Sequence, residues 1–492
     1  MSKKSIIIDE KNVEIKKIVK LENEAWAKLL SEAEKELFKK VKVNGYRPGK
    51  VPAHIAKQHV SQASLFNHAI DSYFRANAKE IFEQLKKETE RVIAASPAIN
   101  ILKLSDAEAE FEIIYPLATD VKTFKLDKIK AKFPQIKVTE ADVEKLIEER
   151  LQQSALQLPL TKDQKTKFGD TVTLNYKGYV DGEAFEGGEA EKYDLKLGTK
   201  TFIDTFEDQL TNKKVGWKGT IKVTFPAEYA VDKLKGKLAE FEVEIVEAKR
   251  PEEVKLTEAN LSSLHAGNAK TIAEAKEIYK HTILNNKLTE QLAKFLEDIA
   301  HQVMKNNDIN VNRMFVQQQV EKRRATIVKQ LKDQGIKLEE YLGLIGKSSE
   351  EFDQIIADEE TKQMQYLLAA QSLVQDLNAK VEVMEEDFKA WKDMTSMQSG
   401  LSTTMIDTFF FTNEQNKENI KLQIEERKIQ KLLASKWDSK AAKIIEKVEK
   451  ELAKFAGKIS ESILEAEKKE AEKSAKKEEE KPKKKTNKKA VK

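Results

Sequence analysis

Asn44-Gly45-Tyr46-Arg47-Pro48-Gly49-Lys50-Val51-Pro52 is the stretch around which the chain is organised. Its two Gly and two Pro exclude a helix interior or a central strand, because Pro lacks an amide proton and Gly admits positive φ. The segment reads as a shaped loop presenting Tyr46, Arg47 and Lys50 outward. Amphipathic patterns flank it. Ala25, Leu29, Ala33 and Leu37 predict a helix over about 24–41, and Phe66, Ile70, Phe74, Ile81 and Leu85 predict another over about 64–87. Short strands are expected at 5–8 and 13–15. Alternation that puts Phe111, Ile113 and Tyr115 on one face predicts strands over 92–116, so the first domain, 1–117, is α+β.

Downstream, 118–165 reads as a connector. Pro134 and Pro159 bracket a helix expected over 140–157, with Val143, Ile147, Leu151 and Leu158 near helical spacing. The pattern changes at 166–250. Val172, Leu174 and Tyr176 alternate, Asp181-Gly182 signals a tight hairpin, Gly187-Gly188 signals another break, and strands are expected at 193–197, 221–225 and 241–245. Asp204 and Glu207 read as a capping-box helix start. From 251 to 456 the pattern is helical. A very long helix carries Ile272, Ala275, Tyr279, Leu288, Leu292, Phe295, Ile299 and Val303, and further helices are expected over 311–333, 348–378, 385–392, 414–435 and 439–455. Residues 457–492 form a Lys/Glu tail, read as disordered from about 468. The fold class is multidomain α+β: an α+β head, a β-rich module and an elongated all-α body with arms.

Composition narrows the functional classes. At 492 residues the chain suits about three domains. It has no Cys, which excludes disulfides and thiolate metal sites and fits a reducing cytoplasm. Neither a signal-peptide core nor a membrane-spanning apolar run is present. The net charge of +4 hides a division: from Lys468 to Lys492 there are twelve Lys against five Glu, a surplus of seven that leaves the rest at −3. That balance argues against a dedicated DNA-binding protein. Gly343 to Ser348 carries glycines and Lys-Ser in the order of a phosphate loop, but two residues separate the Gly pair instead of four, so a helix stop followed by a Ser348–Glu351 capping box explains it better. His54 and His59 are misplaced for one helix face, and no metal site or nucleophile triad emerges.

With these parts in this order, the chain resembles the trigger factor family of bacterial ribosome-associated chaperones. Gly45 to Pro52 is similar to the family's ribosome-docking signature, with Tyr46 where Phe is usual and Pro48 where some members carry a base. FGDTVTLNYKGYVDGEAFEGG from Phe168 and VTFPAEYAVDKLKGK from Val223 are similar to its FKBP-type isomerase domain. A fainter likeness covers INVNRMFVQQQV and QLKDQGIKLEEYLGLIG. The resemblance implies an ATP-independent chaperone that holds nascent chains open and assists folding and export, with peptidyl-prolyl cis-trans isomerase activity and no cofactor. It implies partners at the ribosomal exit tunnel, both ribosomal protein and RNA, together with unfolded polypeptides. DNA and membrane are not among them, and the chain would be a monomer on the ribosome and a possible dimer when free. A free cytosolic isomerase and a non-catalytic peptide-binding adaptor are the alternatives.

The resemblance assigns residues. Gly45, Tyr46, Arg47, Pro48, Gly49 and Lys50 would dock, the two cations on RNA phosphate or an acidic protein patch. Tyr176, Phe185, Glu186, Phe202, Ile203, Phe206, Tyr229 and Phe241, with Tyr193 beside them, would line the isomerase pocket, with Phe206 as its floor and Glu186 as an acidic wall. Asp204-Thr205 departs from the Pro-Gly usual in the family. By residue type alone, several of these aromatics are better read as core. Met394, Met397, Met405, Phe409, Phe410 and Phe411 offer an adaptable apolar set for clients, or ordinary helix packing.

Overall fold

Trp26 is fully buried, and its indole donates to the Ser105 carbonyl at 2.9 Å, fixing a helix to a sheet at the start of the chain. The computed structural model describes residues 5–47, 50–203, 205–227, 229, 234–264 and 266–479, without the side chains of Glu186 and 474–479. It divides into two units. The first comprises Met1–Lys128, Ala300–Gly335 and Glu350–Ser372; the second comprises Ile129–Ile299, Ile336–Ser349 and Leu373–Lys492.

In the first unit, β1 (Ile6–Asp9), β2 (Glu14–Glu22), β3 (Ala98–Leu104) and β4 (Glu108–Pro116) form an antiparallel sheet in the order β1-β2-β4-β3. In β4, Ala109, Phe111, Ile113 and Tyr115 are buried while Glu108, Glu110, Glu112 and Ile114 are half-exposed, the alternation of a sheet with one covered face. The cover is α1 (Asn23–Lys40) and α3 (Gln62–Glu88), which contribute Trp26, Ala33, Phe66, Ile70, Ile81 and Leu85 to the same core. Each large side chain buried there contributes about 1.5–3 kcal/mol. The short α2 (Ala53–Ala56) lies between them, and Ser61 caps α3 by accepting from the Ser64 amide at 3.2 Å. Strand β2 runs nine residues, well beyond the expected 13–15, because β4 pairs with its whole length.

The second unit contains α4 (Glu140–Ser154), whose Thr139–Asp142 capping box is joined by Lys287 at 2.8 Å from the Asp142 carboxylate. The Lys287 ammonium, with the Thr139 amide and hydroxyl, holds that carboxyl well below its usual range. The helix stops at Ser154, short of the expected 157. Gln157–Pro159 becomes β5 instead, since Pro159 disfavours helix at the residue before it. The isomerase-like module follows as an antiparallel sheet: β6 (Thr171–Val180), β7 (Glu183–Lys196), β8 (Lys218–Thr224) and β9 (Leu238–Pro251), in the order β5-β9-β6-β7 with β8 also on β9. Asp181 (φ 54°) and Gly182 (φ 86°) turn the β6–β7 hairpin as anticipated. Strand β7 runs through Gly187-Gly188 and absorbs the irregularity as register shifts against β6. Buried Asp170 takes Arg250 in a two-point ion pair at 2.7 and 2.8 Å, close to where β5 meets the end of β9.

The helices are α5 (Phe206–Gln209), α6 (Ile272–Asn306), α7 (Arg313–Asp333), α8 (Leu338–Leu344), α9 (Ser349–Leu377), α10 (Glu385–Ser399), α11 (Thr403–Ile406), α12 (Glu414–Trp437) and α13 (Ala441–Glu479). In the first unit α7 and α9 are joined by Arg323, which reaches Glu359 at 2.8 Å and Glu360 at 3.0 Å. Asn312 caps α7 and donates to the Val13 carbonyl at 2.8 Å. The phosphate-loop lookalike is a helix stop after Leu344, as expected. Two boundaries differ from expectation. Helix α10 continues to Ser399, and α13 runs to Glu479, well into the expected disorder. Ala, Glu and Lys are strong helix formers, α13 carries pairs such as Lys450–Glu446 at 2.6 Å, and its buried stripe reaches Ile463. Residues 480–492 of the tail lie outside the described residues.

Candidate functional site

Phe206 opens α5 from Thr205, which sits at φ 73°, and its ring is fully buried at the centre of an aromatic cluster. It stacks on Phe202 at 4.5 Å between centroids and meets Phe241 edge-on at 5.4 Å. Tyr176 from β6 stands over this pair, 5.5 Å from Phe202, 6.4 Å from Phe206 and 6.2 Å from Phe241. Phe185 meets Phe241 at 5.7 Å and Phe225 at 5.8 Å, and Phe225 meets Tyr229 at 4.6 Å. Such edge-to-face and offset pairs are the favoured aromatic geometries. Phe206, Phe241 and Phe225 are buried, while Tyr176, Phe185, Phe202, Ile203 and Tyr229 are half-buried and Tyr193 is exposed. The cluster thus has a closed floor and a partly open rim. Burial, with Tyr193 beside it, pushes the Tyr176 hydroxyl up, so it stays protonated at neutral pH.

The turn bearing Phe202 and Ile203 is held by one carboxylate. Buried Glu207 accepts the amides of Gly198 (2.7 Å) and Lys200 (3.1 Å) on one oxygen and those of Thr201 (2.8 Å) and Phe202 (3.3 Å) on the other. Burial pushes this carboxyl up, but the four amides outweigh it and hold it below its ordinary value. The expected capping box is therefore corrected: Glu207 reaches back into the 198–202 turn, Thr205 makes no side-chain cap, and Asp204 lies outside the described residues. A cavity of about 310 Å³ lies between Phe168, Lys200, Phe202, Ile203 and Asp208, bordering the cluster at Phe202. Gly178 is a further constraint that pattern reading missed, since a Cβ there would sit 2.6 Å from ring atoms of both Phe185 and Phe241. Of the nine expected pocket residues, eight come together here, Tyr193 at 5.5 Å from Phe202 included, and the Glu186 side chain lies outside the described residues.

In the loop, Gly45 adopts φ 92°, the Tyr46 amide donates to Val43 at 3.1 Å and the Lys50 amide to Arg47 at 2.9 Å. Tyr46, Arg47 and Lys50 are exposed. Pro48 and Gly49 lie outside the described residues. The six apolar candidates of the helical body separate. Met397 is fully buried against Ile278 and Ala456, so its assignment to a client surface is corrected: α10 turns that face into the core. Met394 is half-buried beside it. Phe410 and Phe411 pack edge-on to Trp391 at 5.8 and 5.9 Å, and Lys392 lies 4.5 Å over the Phe411 ring. Met405 and Phe409 remain exposed.

Among the described residues no group of His, Cys, Asp and Glu is arranged to hold a metal, and no helix is long and apolar enough to cross a membrane. Three family models match in order. "Bacterial trigger factor protein (TF)" covers residues 4–150, "FKBP-type peptidyl-prolyl cis-trans isomerase" 162–246, and the trigger factor C-terminus 271–435. A trigger factor of Mycoplasma mobile is 32% identical over 346 residues, 70% of this chain and 71% of that protein. One from Mycoplasmopsis synoviae is 28% identical over 423 residues, 85% of this chain and 87% of its own length. A solved trigger factor chaperone aligns over 88% of this chain and 100% of its own at 17% identity, with a TM-score of 0.36. On this order of models and this relative, the chain belongs to the trigger factor family, ribosome-associated chaperones carrying an FKBP-type peptidyl-prolyl cis-trans isomerase domain.

Proposed function

We propose that the protein isomerises X-Pro bonds over the rim of the aromatic cluster while the 44–52 loop anchors it to ribosomes. Tyr176, Phe185, Phe202, Ile203 and Tyr229 form the catalytic surface and Phe206 and Phe241 its floor, with Glu186 carried over from the family pattern. The barrier is amide resonance, about 18–20 kcal/mol, and it falls when the bound bond is desolvated and held twisted. No nucleophile or cofactor is needed. The observation that carries this reading is the closed floor of Phe206 and Phe241 beneath half-buried rings, an apolar seat for a prolyl ring.

Arg47 and Lys50, with Tyr46, carry the docking, supported by their exposure on a loop of fixed backbone. Met405 and Phe409 touch clients weakly. The protein works in the cytoplasm, as a monomer on the ribosome and a dimer when free, with neither DNA nor membrane as partner. The domain limits follow the sequence reading at 117, 165, 250 and 456. Co-sedimentation with ribosomes tests the anchor: Arg47→Ala with Lys50→Ala should lose binding at moderate salt, and parental binding by that variant would refute it.

A further inference from the structure

We infer that the cleft between α6, α10, α12 and α13 holds the carboxyl end of an unfolded polypeptide, with the terminal carboxylate on Arg427 and the last side chains on Trp391, Met394, Ile424 and Leu452. This rests on reading the helical body as client-binding and names the part of the client that the cleft takes. The cleft has a volume of about 600 Å³, the size of a small-ligand site, and lies within the second unit. Ala293, Ala390 and Ala453 face it from three helices, where longer side chains would close it. Its α13 wall, Glu449, Leu452 and Ala453, lies beyond residue 435, where the match to the trigger factor C-terminus ends.

Arg427 is half-buried on α12, and its charge is poorly matched. Glu449 stands 3.6 Å from its Nε, but the same carboxylate takes Lys431 at 2.6 Å, so one anion serves two cations. Asp387 is held by Lys428, and Glu426 is exposed and accepts from Gln430 at 3.1 Å. Arg427 Nη1 donates to Asn285 at 3.0 Å and to Thr289 at 3.2 Å, whereas Nη2 has no partner among the described residues. Burial pushes the guanidinium down despite Glu449, so a further anion is favoured beside it. A carboxylate meets it in charge-assisted hydrogen bonds. Thr395, Gln398 and Gln423 supply donors and acceptors for the backbone that follows. A growing chain offers no free carboxyl end, because that end is esterified to transfer RNA. The cleft therefore selects chains released from synthesis and not yet folded.

The test is the affinity of the full-length protein for a fluorescent peptide ending in Leu-Phe-Leu, made with a free carboxylate or an amidated end. The free acid should bind at least about tenfold more tightly than the amide, as a hydrogen bond to a charged group implies. An amidated peptide with an Asp inside its sequence should bind like the plain amide. Arg427→Gln should bring acid and amide to the same affinity, and Glu449 keeps Lys431 in that variant, so no carboxylate is stranded. Ala453→Leu should weaken both peptides by narrowing the cleft, and Ala453 is exposed, so the fold is kept. Thermal melting of each variant separates lost binding from lost folding. Equal affinity of the parent for acid and amide, a difference that survives Arg427→Gln, parental affinities in Ala453→Leu, or tight binding of the internal-Asp peptide overturns the inference. If an unfolded client is held while neither peptide binds, the chaperone reading stands and this site fails; if no client is held either, the reading beneath it falls too.

Discussion

Replacing Glu207 with Gln probes the module at the point where one side chain holds four backbone amides. Gln keeps one acceptor oxygen, so two of the four donors lose their partner and face an NH₂ group. An unsatisfied buried donor costs about 1–3 kcal/mol, and these amides are only partly buried, so the low end applies. Two such losses amount to about 2 kcal/mol, roughly thirtyfold in the equilibrium that keeps the 198–202 turn ordered. Phe202 and Ile203 ride on that turn, so catalytic efficiency in a proline-limited refolding assay should fall by about ten- to thirtyfold. The pH dependence has a definite sign. The folded pKa of Glu207 lies below the ordinary value of 4.5, so its stabilisation is present above that value and is lost as pH falls through the folded one. The parent module should therefore lose this increment on acidification, and the Gln variant should lack that part of the acid limb. Parental activity together with a parental acid limb in Glu207→Gln would refute the reasoning.

Gly178→Ala should destabilise the module by about 1–3 kcal/mol and slow isomerisation, because its Cβ would displace the Phe185 and Phe241 rings; refolding rate and thermal melting together check it. In the helical body, Met397→Ala should destabilise by about 2–5 kcal/mol in chemical denaturation with client affinity following only stability. Met405→Ser with Phe409→Ser should leave stability within about 0.5 kcal/mol while weakening suppression of aggregation of an unfolded client.

The sequence was most informative where local chemistry decides structure. Gly45 and its neighbouring prolines force a loop whatever surrounds them, Asp181-Gly182 fits only a tight turn, and the alternation of Phe111, Ile113 and Tyr115 needs just one covered face. The stripe of α6 was legible for the same reason. Legibility failed where partners are distant or carry no side-chain signature. Glu207 looked like a cap because the amides it holds, at 198–202, leave no mark in the pattern. Met397 and Met405 are the same residue type eight positions apart, yet α10 turns Met397 onto Ile278 of α6 and Ala456 of α13, while α11 leaves Met405 exposed. The Lys/Glu run of α13 has the composition of both a disordered tail and a solvated helix, and the apolar stripe that anchors its first part continues it as helix to Glu479.

The central claim, that the aromatic rim is where proline bonds turn over, is tested most directly by the refolding rate of a proline-limited substrate with the parent and with Phe202→Ala. Phe202 suits this better than fully buried Phe206, whose loss would also cost about 3–5 kcal/mol of stability. Uncatalysed phases of this kind last tens of seconds, so acceleration is readily seen. Marked acceleration by the parent is expected, with at least a tenfold loss in the variant and aggregation suppression retained. Equal acceleration by both proteins, or none by the parent, would contradict it.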